Sequence, residues 1–103
     1  MVKILGETDS HVELIANSLR EFEKSHEYAN CIVYRYNPAS IRVKIVDVIF
    51  TGRDRSVRHD YAMGYLRELP DDTLSQISLL ICLEPGETSL IDLEFKDPSK
   101  SML

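Results

Sequence analysis

The apolar residues of this chain change their spacing several times, and each change predicts a new element. Between Ser10 and His26 they recur every three or four residues, which predicts an amphipathic helix over about His11–His26. Ser10 and Glu13 have the spacing of a capping box, so the helix is expected to begin there. The apolar face consists of Val12, Ile15, Ala16, Leu19 and Phe22.

Two strands are predicted next. Cys31–Tyr36 is rich in β-branched and aromatic residues, and Ile41–Phe50 begins with strict alternation of apolar and basic residues. Asn37-Pro38-Ala39-Ser40 separates them and favours a turn, so the two strands should form an antiparallel hairpin. The short apolar segment Val2–Leu5 is a candidate for pairing at a sheet edge.

The second half of the chain predicts two helices and a strand. A helical pattern covers about Ser56–Leu69, and Pro70 ends it because proline cannot continue a helix. One carboxylate of Asp71-Asp72 is expected to cap a short helix that runs to Gln76. The apolar run Ile77–Leu83 fits an interior strand.

The resulting element order is helix-strand-strand-helix-helix-strand. It predicts an α+β domain in which a three-stranded mixed sheet carries its helices on one face. The last strand returns through two helices, so it should lie parallel to the second strand with a right-handed crossover. We expect one domain over residues 1–96 and a polar, flexible tail over 97–103. Before that tail, the residues able to dock a further short element are Leu90, Ile91, Leu93 and Phe95.

Composition narrows the classes of function. The net charge of −5 and pI of about 5.1 argue against a protein that relies on neutralising phosphates. No apolar run approaches the roughly 18 residues of a membrane span, and the N-terminal apolar segment is too short for a signal peptide. We therefore expect a cytoplasmic protein that does not enter the membrane.

Neither the cysteines nor any known catalytic motif indicates a reaction that this protein could catalyse. Cys31 and Cys82 lie in apolar strand patterns without a C-x-x-C spacing, so both are expected to be buried, reduced thiols. No glycine-rich phosphate loop, nucleophile elbow or H-E-x-x-H motif is present. The sequence thus assigns no catalytic residue, no metal ligand and no cofactor. His11 and His26 are expected to be exposed at the ends of the first helix.

A basic cluster precedes and enters the second predicted helix. Arg53, Arg55 and Arg58 form it, and they can be interpreted as a binding patch or, in the favoured interpretation, as a solvated turn and helix start. His59 follows, and it could carry a proton or bind a ligand. The favoured alternative is structural, with His59 packing at the helix start and hydrogen-bonding the turn at Gly52.

Two tyrosines on the first predicted hairpin strand form a second candidate surface. Tyr34 and Tyr36 are two residues apart and so share one face of the strand. If that face is open, the tyrosines suit a partner surface beside Arg42 and Lys44. If the helices cover it, they belong to the core. The sequence leaves both interpretations open.

The residues around Gly52 resemble the signature of the BolA family. Phe50-Thr51-Gly52 ends a strand, and after five further residues Arg58-His59 opens a helix, as in that family. The similarity covers about Ile41–Leu83. It implies this element order and a fold related to the class II KH domain. It also implies a monothiol glutaredoxin as partner, with a shared two-iron two-sulfur cluster.

The chain departs from this family at the positions of the cluster ligands. Ser78 stands where the family has its histidine, and the second ligand position falls near Ala39-Ser40. Neither supplies the sulfur or imidazole that clusters need. Cys82 shares the strand face of Ser78 by alternation and is the substitute ligand to consider. The KH loop position, Leu69–Asp72, has no glycine and two carboxylates, which argues against RNA binding.

We therefore expect a small, non-enzymatic, BolA-like module that acts through protein–protein contacts. The alternative is a KH-like nucleic-acid-binding domain, and a small enzyme whose site is assembled spatially is a third hypothesis. The outer hairpin strand could be an unpaired edge, which would allow a homodimer. The nucleic-acid alternative uses Arg42, Lys44, Arg53, Arg55 and Arg58.

Overall fold

In the computed structural model, which describes residues 1–87, the chain forms an α+β fold with a four-stranded mixed sheet. The sequence pattern alone predicts three strands, so the strand count is a correction. The strands are β1 (Lys3–Leu5), β2 (Asn30–Asn37), β3 (Ser40–Val46) and β4 (Ile77–Leu83), and the helices are α1 (Ser10–Ser25), α2 (Arg55–Leu66) and α3 (Asp71–Leu74), with a 3-10 helix at Val48–Phe50.

The order of the strands in the sheet is β1-β2-β3-β4. The hairpin prediction is confirmed, because β2 and β3 pair antiparallel with Val33 opposite Val43. The parallel pairing of β3 with β4 is also confirmed, with Ile45 opposite Cys82. The additional strand, β1, pairs parallel to β2 through three residues, so the candidate segment Val2–Leu5 does pair at an edge of the sheet. It was not counted among the predicted strands because three residues carry too little pattern to be distinguished from a loop.

The strand β3 ends earlier than its apolar pattern predicts. It was expected to reach Phe50, but it ends at Val46, and Asp47 begins the 3-10 helix. The carboxylate of Asp47 accepts a hydrogen bond from the Ile49 N–H at 3.2 Å, and its own N–H donates to the Leu83 carbonyl at 3.0 Å. Asp47 therefore ends the strand β3, and the apolar residues that follow it turn toward the helices.

The helix α1 is capped one residue earlier than predicted. The Val12 N–H donates to Asp9 Oδ1 at 3.0 Å, so Asp9, and not Ser10, is the N-cap. The prediction that Ser10 and Glu13 form a capping box is wrong. Glu13 lies 3.8 Å from Arg20 on the exposed side of the helix instead.

The other two helices, α2 and α3, are shorter than their sequence patterns predict. Asp54 caps α2 by accepting from the Val57 N–H at 3.0 Å, and the helix ends at Leu66 instead of Leu69. The helix α3 has Pro70 at its N-cap position without a side-chain cap hydrogen bond. The prediction that Asp71-Asp72 caps this helix is wrong, since both residues lie in its first turn.

The core lies between the helices and one face of the sheet. Alternate residues of β2 and β3 point toward α1 and α2 and are fully buried there. A second, smaller apolar cluster occupies the opposite face. The largest fully buried apolar side chains are Val12, Ile15, Leu19, Phe22, Val33, Ile41, Val43, Ile45, Phe50 and Leu66.

The cap of α1 gives a testable dependence of stability on pH. The Val12 N–H, followed by the Arg35 guanidinium, holds the pKa of Asp9 below its ordinary value of 3.8. A pKa that is lower in the folded state stabilises the fold above the unfolded pKa, and this stability is lost as the pH falls through the folded pKa. We expect Asp9→Ala to cost about 1 kcal/mol at neutral pH. We expect Asp9→Asn, which keeps a capping oxygen but no charge, to flatten the loss of stability below about pH 4.

Urea unfolding at a series of pH values measures this effect. Asp60→Asn is the matched control, because Asp60 is an exposed aspartate whose side chain makes no hydrogen bond or ion pair within residues 1–87. If the free energy of unfolding falls equally steeply at acid pH in Asp9→Asn and in the unsubstituted protein, the charge of Asp9 does not contribute to stability.

Candidate functional site

The connection between β3 and α2 is a tightly hydrogen-bonded turn. The Thr51 N–H donates to the Val48 carbonyl at 3.0 Å, and the Arg53 N–H donates to the Phe50 carbonyl at 3.1 Å. Gly52 has a φ of +76°, a left-handed conformation that favours glycine. This short hydrogen-bonded turn thus sets the distance between β3 and α2. It places the start of α2 beside the end of β4.

Arg58 joins this turn to the strand β4. Its Nη1 donates to the Cys82 carbonyl at 3.1 Å and to Glu87 Oε1 at 2.7 Å, and its Nε donates to the Arg53 carbonyl at 2.8 Å. The same Glu87 oxygen accepts from the Glu84 N–H at 2.9 Å. These two donors, the Glu84 N–H first, lower the pKa of Glu87. Arg58 is therefore a structural residue that connects three segments.

His59 lies on the exposed side of α2. Within residues 1–87 it makes no hydrogen bond to the turn at Gly52, so the expected structural contact of His59 is absent there. The neighbouring Arg58 makes that connection instead. The imidazole is therefore exposed to solvent beside a hydrogen-bonded turn.

The other two arginines of the basic cluster are exposed. Arg53 donates through its Nε to the Ile49 carbonyl at 2.8 Å, which holds its side chain along the 3-10 helix. Arg55 is the first residue of α2. The turn therefore presents Arg53, Arg55 and His59 to solvent, whereas Arg58 is used internally.

Tyr34 and Tyr36 lie on the face of the sheet opposite the helices. Their rings meet edge to face with centroids 6.0 Å apart. Tyr34 is only 3% exposed and packs with Leu5 in the second apolar cluster, whereas Tyr36 is 49% exposed. The guanidinium of Arg42 stacks over the Tyr36 ring at 3.6 Å. None of the helices within residues 1–87 covers these tyrosines.

At the positions where the BolA resemblance implies cluster ligands, the chain has no sulfur or imidazole group. Ser78 is exposed and lies where the pairing of β3 with β4 shifts by one residue, and its hydroxyl is 3.5 Å from the Ile41 carbonyl. Ala39-Ser40 lies at the turn of the hairpin. Cys82 packs against the core under the helices. The shift at Ser78 also interrupts the simple alternation that relates it to Cys82.

Both thiols are poor nucleophiles and metal ligands at neutral pH. Burial, aided by Glu23, raises the pKa of Cys31 to about 12, and burial raises the pKa of Cys82 to about 12. Reactive cysteines have a lowered pKa and some exposure. The prediction of free thiols is confirmed, although Cys82 is half-buried and only Cys31 is fully buried.

Two histidines that were expected to be exposed are half-buried and hydrogen-bonded. His11 Nδ1 lies 2.8 Å from Thr73 Oγ1, which links α1 to α3. His26 Nδ1 lies 2.7 Å from the Phe22 carbonyl, and its Nε2 lies 2.5 Å from the Tyr61 hydroxyl. The contacts of His11 with Thr73 and of His26 with Tyr61 join residues that are distant in the chain, so no local sequence pattern could have revealed them.

The basic residues of the nucleic-acid alternative are divided between two surfaces. Arg42 and Lys44 lie on the face of β3 opposite α1 and α2, whereas Arg53 and Arg55 lie at the start of α2 on the other side of the sheet. Arg58 is paired with Glu87. The arrangement therefore does not gather the five residues into one patch.

Within residues 1–87, no three histidine, cysteine, aspartate or glutamate side chains are grouped so that they could hold a metal ion. The same part of the chain contains no helix long and apolar enough to cross a membrane.

No protein-family model, curated protein or solved structure matches the chain.

Proposed function

We propose that this chain is a small, non-enzymatic, BolA-like module that acts through protein–protein contacts. The observation that carries the proposal is how the signature residues are used. Phe50 is fully buried, Gly52 adopts a left-handed turn, and Arg58 ties the turn to β4. His59 is left exposed, so the three structural residues hold one exposed imidazole in a fixed place.

The proposed contacts use two separate surfaces, this turn and the face of the sheet opposite α1 and α2. The turn offers Arg53, Arg55 and His59, and the sheet face offers Tyr36 with the stacked Arg42. Arginine and tyrosine are the residue types that most often dominate binding energy at protein interfaces. The partner class to try first is a monothiol glutaredoxin, by resemblance to the BolA family.

We expect protein contact without a shared cluster, because Ser78 and Ala39-Ser40 supply no cluster ligand. The purified protein is mixed with a monothiol glutaredoxin under cluster-reconstituting conditions, and the mixture is followed by co-elution on a sizing column and by visible absorption. Co-elution without a coloured heterocomplex is the expected result. A coloured complex would show that other residues replace the family's ligands.

A matched pair of variants tests the surface itself. His59→Ala is expected to weaken the complex by about tenfold, as at a binding hot spot. Arg20→Ala, on the outer side of α1, removes an exposed side chain elsewhere and should leave the affinity unchanged. Equal affinities of both variants would show that His59 is not part of the interface. The absence of any complex would count against monothiol glutaredoxins as the partner class.

A KH-like nucleic-acid role is the second candidate, and the stacking of Arg42 over Tyr36 favours it. Single-stranded nucleic acids bind to surfaces that combine aromatic rings with basic groups. The net charge of −5 and the carboxylates of Asp71-Asp72 weigh against it. A gel shift at low salt that weakens with added salt and with Tyr36→Ala would support nucleic-acid binding. The absence of a shift at low salt would contradict it.

A further inference from the structure

The helix α2 has an outward-facing side in addition to the side that it buries. Ala62 and Leu66 are buried in the core, whereas Val57, Tyr61 and Gly64 are exposed. Because these three residues follow one another at intervals of four and three, they lie on one side of the helix, here named the outer stripe of α2. Val57 is 42% exposed and Tyr61 is 37% exposed. The outer stripe is therefore an apolar surface in contact with solvent.

The glycine of the outer stripe, Gly64, is not required by the fold of a single copy. Inside a helix, glycine is less favourable than alanine by about fivefold in the folding equilibrium constant. Gly64 is not among the glycines with a left-handed φ, and a Cβ at this position would meet no atom of residues 1–87 within 4 Å. Neither backbone conformation nor lack of space explains the glycine. Its remaining physical effect is to let another chain approach the helix backbone closely.

Opposite charges stand at the two ends of the outer stripe. Arg53 precedes the N-terminal end of α2, and its positive charge partly offsets the effect of burial, which raises the pKa of Tyr61. Arg53 therefore lies near the outer stripe. Glu68 follows the C-terminal end of the helix. Both side chains are exposed, and neither makes an ion pair within residues 1–87. A surface with a basic end, an apolar centre and an acidic end is complementary to itself when a second copy runs antiparallel.

The spacing of these residues suits a two-fold axis between Tyr61 and Gly64. Such an axis places the Tyr61 ring of each copy opposite Gly64 of the other, where the missing side chain leaves room for it. Arg53 of one copy and Glu68 of the other are then offset by about four residues along the helix axis, or about 6 Å, which two long side chains can span. Antiparallel helices also bring the positive end of each helix dipole near the negative end of the other.

We propose that two copies of this chain form a symmetric dimer through their outer stripes. Tyr61 of each copy packs on Gly64 of the other, and the charges at the stripe ends pair across the interface. One short helix per copy gives a contact below the roughly 1,200 Å² that marks the low end of stable interfaces, so we expect a dissociation constant in the micromolar range.

This interface differs from the one that the sequence suggested. The outer hairpin strand β2 is not an open edge, because it pairs with β1 on one side and with β3 on the other. The dimer also does not depend on the proposed function. His59 lies two residues before Tyr61, about 200° around the helix, and so remains exposed when the outer stripe is covered.

Sedimentation equilibrium of the full chain, from about 1 µM to about 1 mM, measures the association. Gly64→Gln fills the space opposite Tyr61 and should raise the dissociation constant at least about tenfold. Glutamine favours a helix more than glycine does, so this loss would not come from a failure to fold. Arg67→Gln introduces the same residue at an exposed position outside the outer stripe and should leave the association unchanged. A protein that stays monomeric throughout, or a dimer that Gly64→Gln does not weaken, overturns the proposal.

A charge exchange tests the antiparallel pairing. Arg53→Glu and Glu68→Lys each place like charges at both symmetric contacts, so each variant alone should dimerise about tenfold more weakly. An equimolar mixture of the two variants restores opposite charges at both contacts and should form a heterodimer with nearly the original affinity. If the mixture associates no better than the separate variants, the antiparallel pairing is overturned. Failure of the proposed function is measured separately, through the affinity of His59→Ala for a glutaredoxin, and does not affect these results.

Discussion

Replacement of Phe50 by alanine is expected to lower the free energy of unfolding by about 3–5 kcal/mol, the range for large-to-small changes of buried aromatic residues. Phe50 is fully buried, and its ring lies 6.4 Å from the ring of Phe22 and 6.4 Å from that of Tyr61. It thereby joins the 3-10 helix, α1 and α2. Alanine would leave a cavity where these three elements meet.

Urea unfolding followed by circular dichroism measures this effect. Phe50→Leu keeps most of the volume and should cost about 1–2 kcal/mol. Tyr28→Ala is the control for the loss of an aromatic ring, because Tyr28 is 67% exposed, and it should change stability by no more than about 0.5 kcal/mol. A cost below about 1 kcal/mol for Phe50→Ala would show that the three elements are not coupled through this ring.

Replacement of Arg35 by methionine is expected to cost about 2–4 kcal/mol, through hydrogen-bonding groups left without a donor. Arg35 is 8% exposed. Its Nη1 donates to the Gln76 side chain at 2.7 Å and to the Asn37 and Pro38 carbonyls at 3.3 and 3.2 Å. Its Nη2 lies 2.6 Å from the carboxylate of Asp9.

The size of this effect follows from where the acceptors lie. The Asp9 side chain is partly exposed, so water can replace part of its interaction, and we place the cost below that of breaking a fully buried ion pair. Methionine retains apolar contact with the core but offers no donor. Lysine offers a charge without the planar fork that reaches four acceptors, so Arg35→Lys should recover only part of the loss.

Hydrogen exchange together with urea unfolding distinguishes this role from simple loss of packing. Because Arg35 holds the hairpin turn, the Ala39 N–H, which donates to Asn37 Oδ1 at 2.8 Å, should exchange faster in Arg35→Met. Arg67→Met, at the exposed end of α2, is the matched control and should leave that rate unchanged. Unchanged exchange at Ala39 in Arg35→Met would contradict the role of Arg35 in holding the turn.

Much of the fold could be predicted from periodicity, and the errors cluster at element boundaries. Ser10 and Asp9 are both good caps, and Asp9, the residue used, is also contacted by Arg35 from the strand β2. The apolar run after Val46 favours a longer strand, but Asp47 hydrogen-bonds β4 through its N–H and ends it. In each case a contact from a distant part of the chain outweighs a local preference.

The candidate site was predicted in position but not in its internal arrangement. The spacing of Phe50, Gly52 and Arg58 located the turn between β3 and α2. It could not show that Arg58 would bind Glu87 while His59 remained exposed, because those outcomes depend on where β4 ends. Arg35 and the link of His26 to Tyr61 were missed altogether, since a single polar residue in an apolar pattern does not reveal its partner.

The periodicity of residues close together in the chain was enough to predict the α+β class, the hairpin, the apolar face of α1 and the span of β4. The pairing of β1 with β2, the burial of Arg35 and the position of Tyr34 on the face away from α1 and α2 are known only from the folded chain. These features depend on pairing and packing between distant segments, which local sequence patterns do not encode.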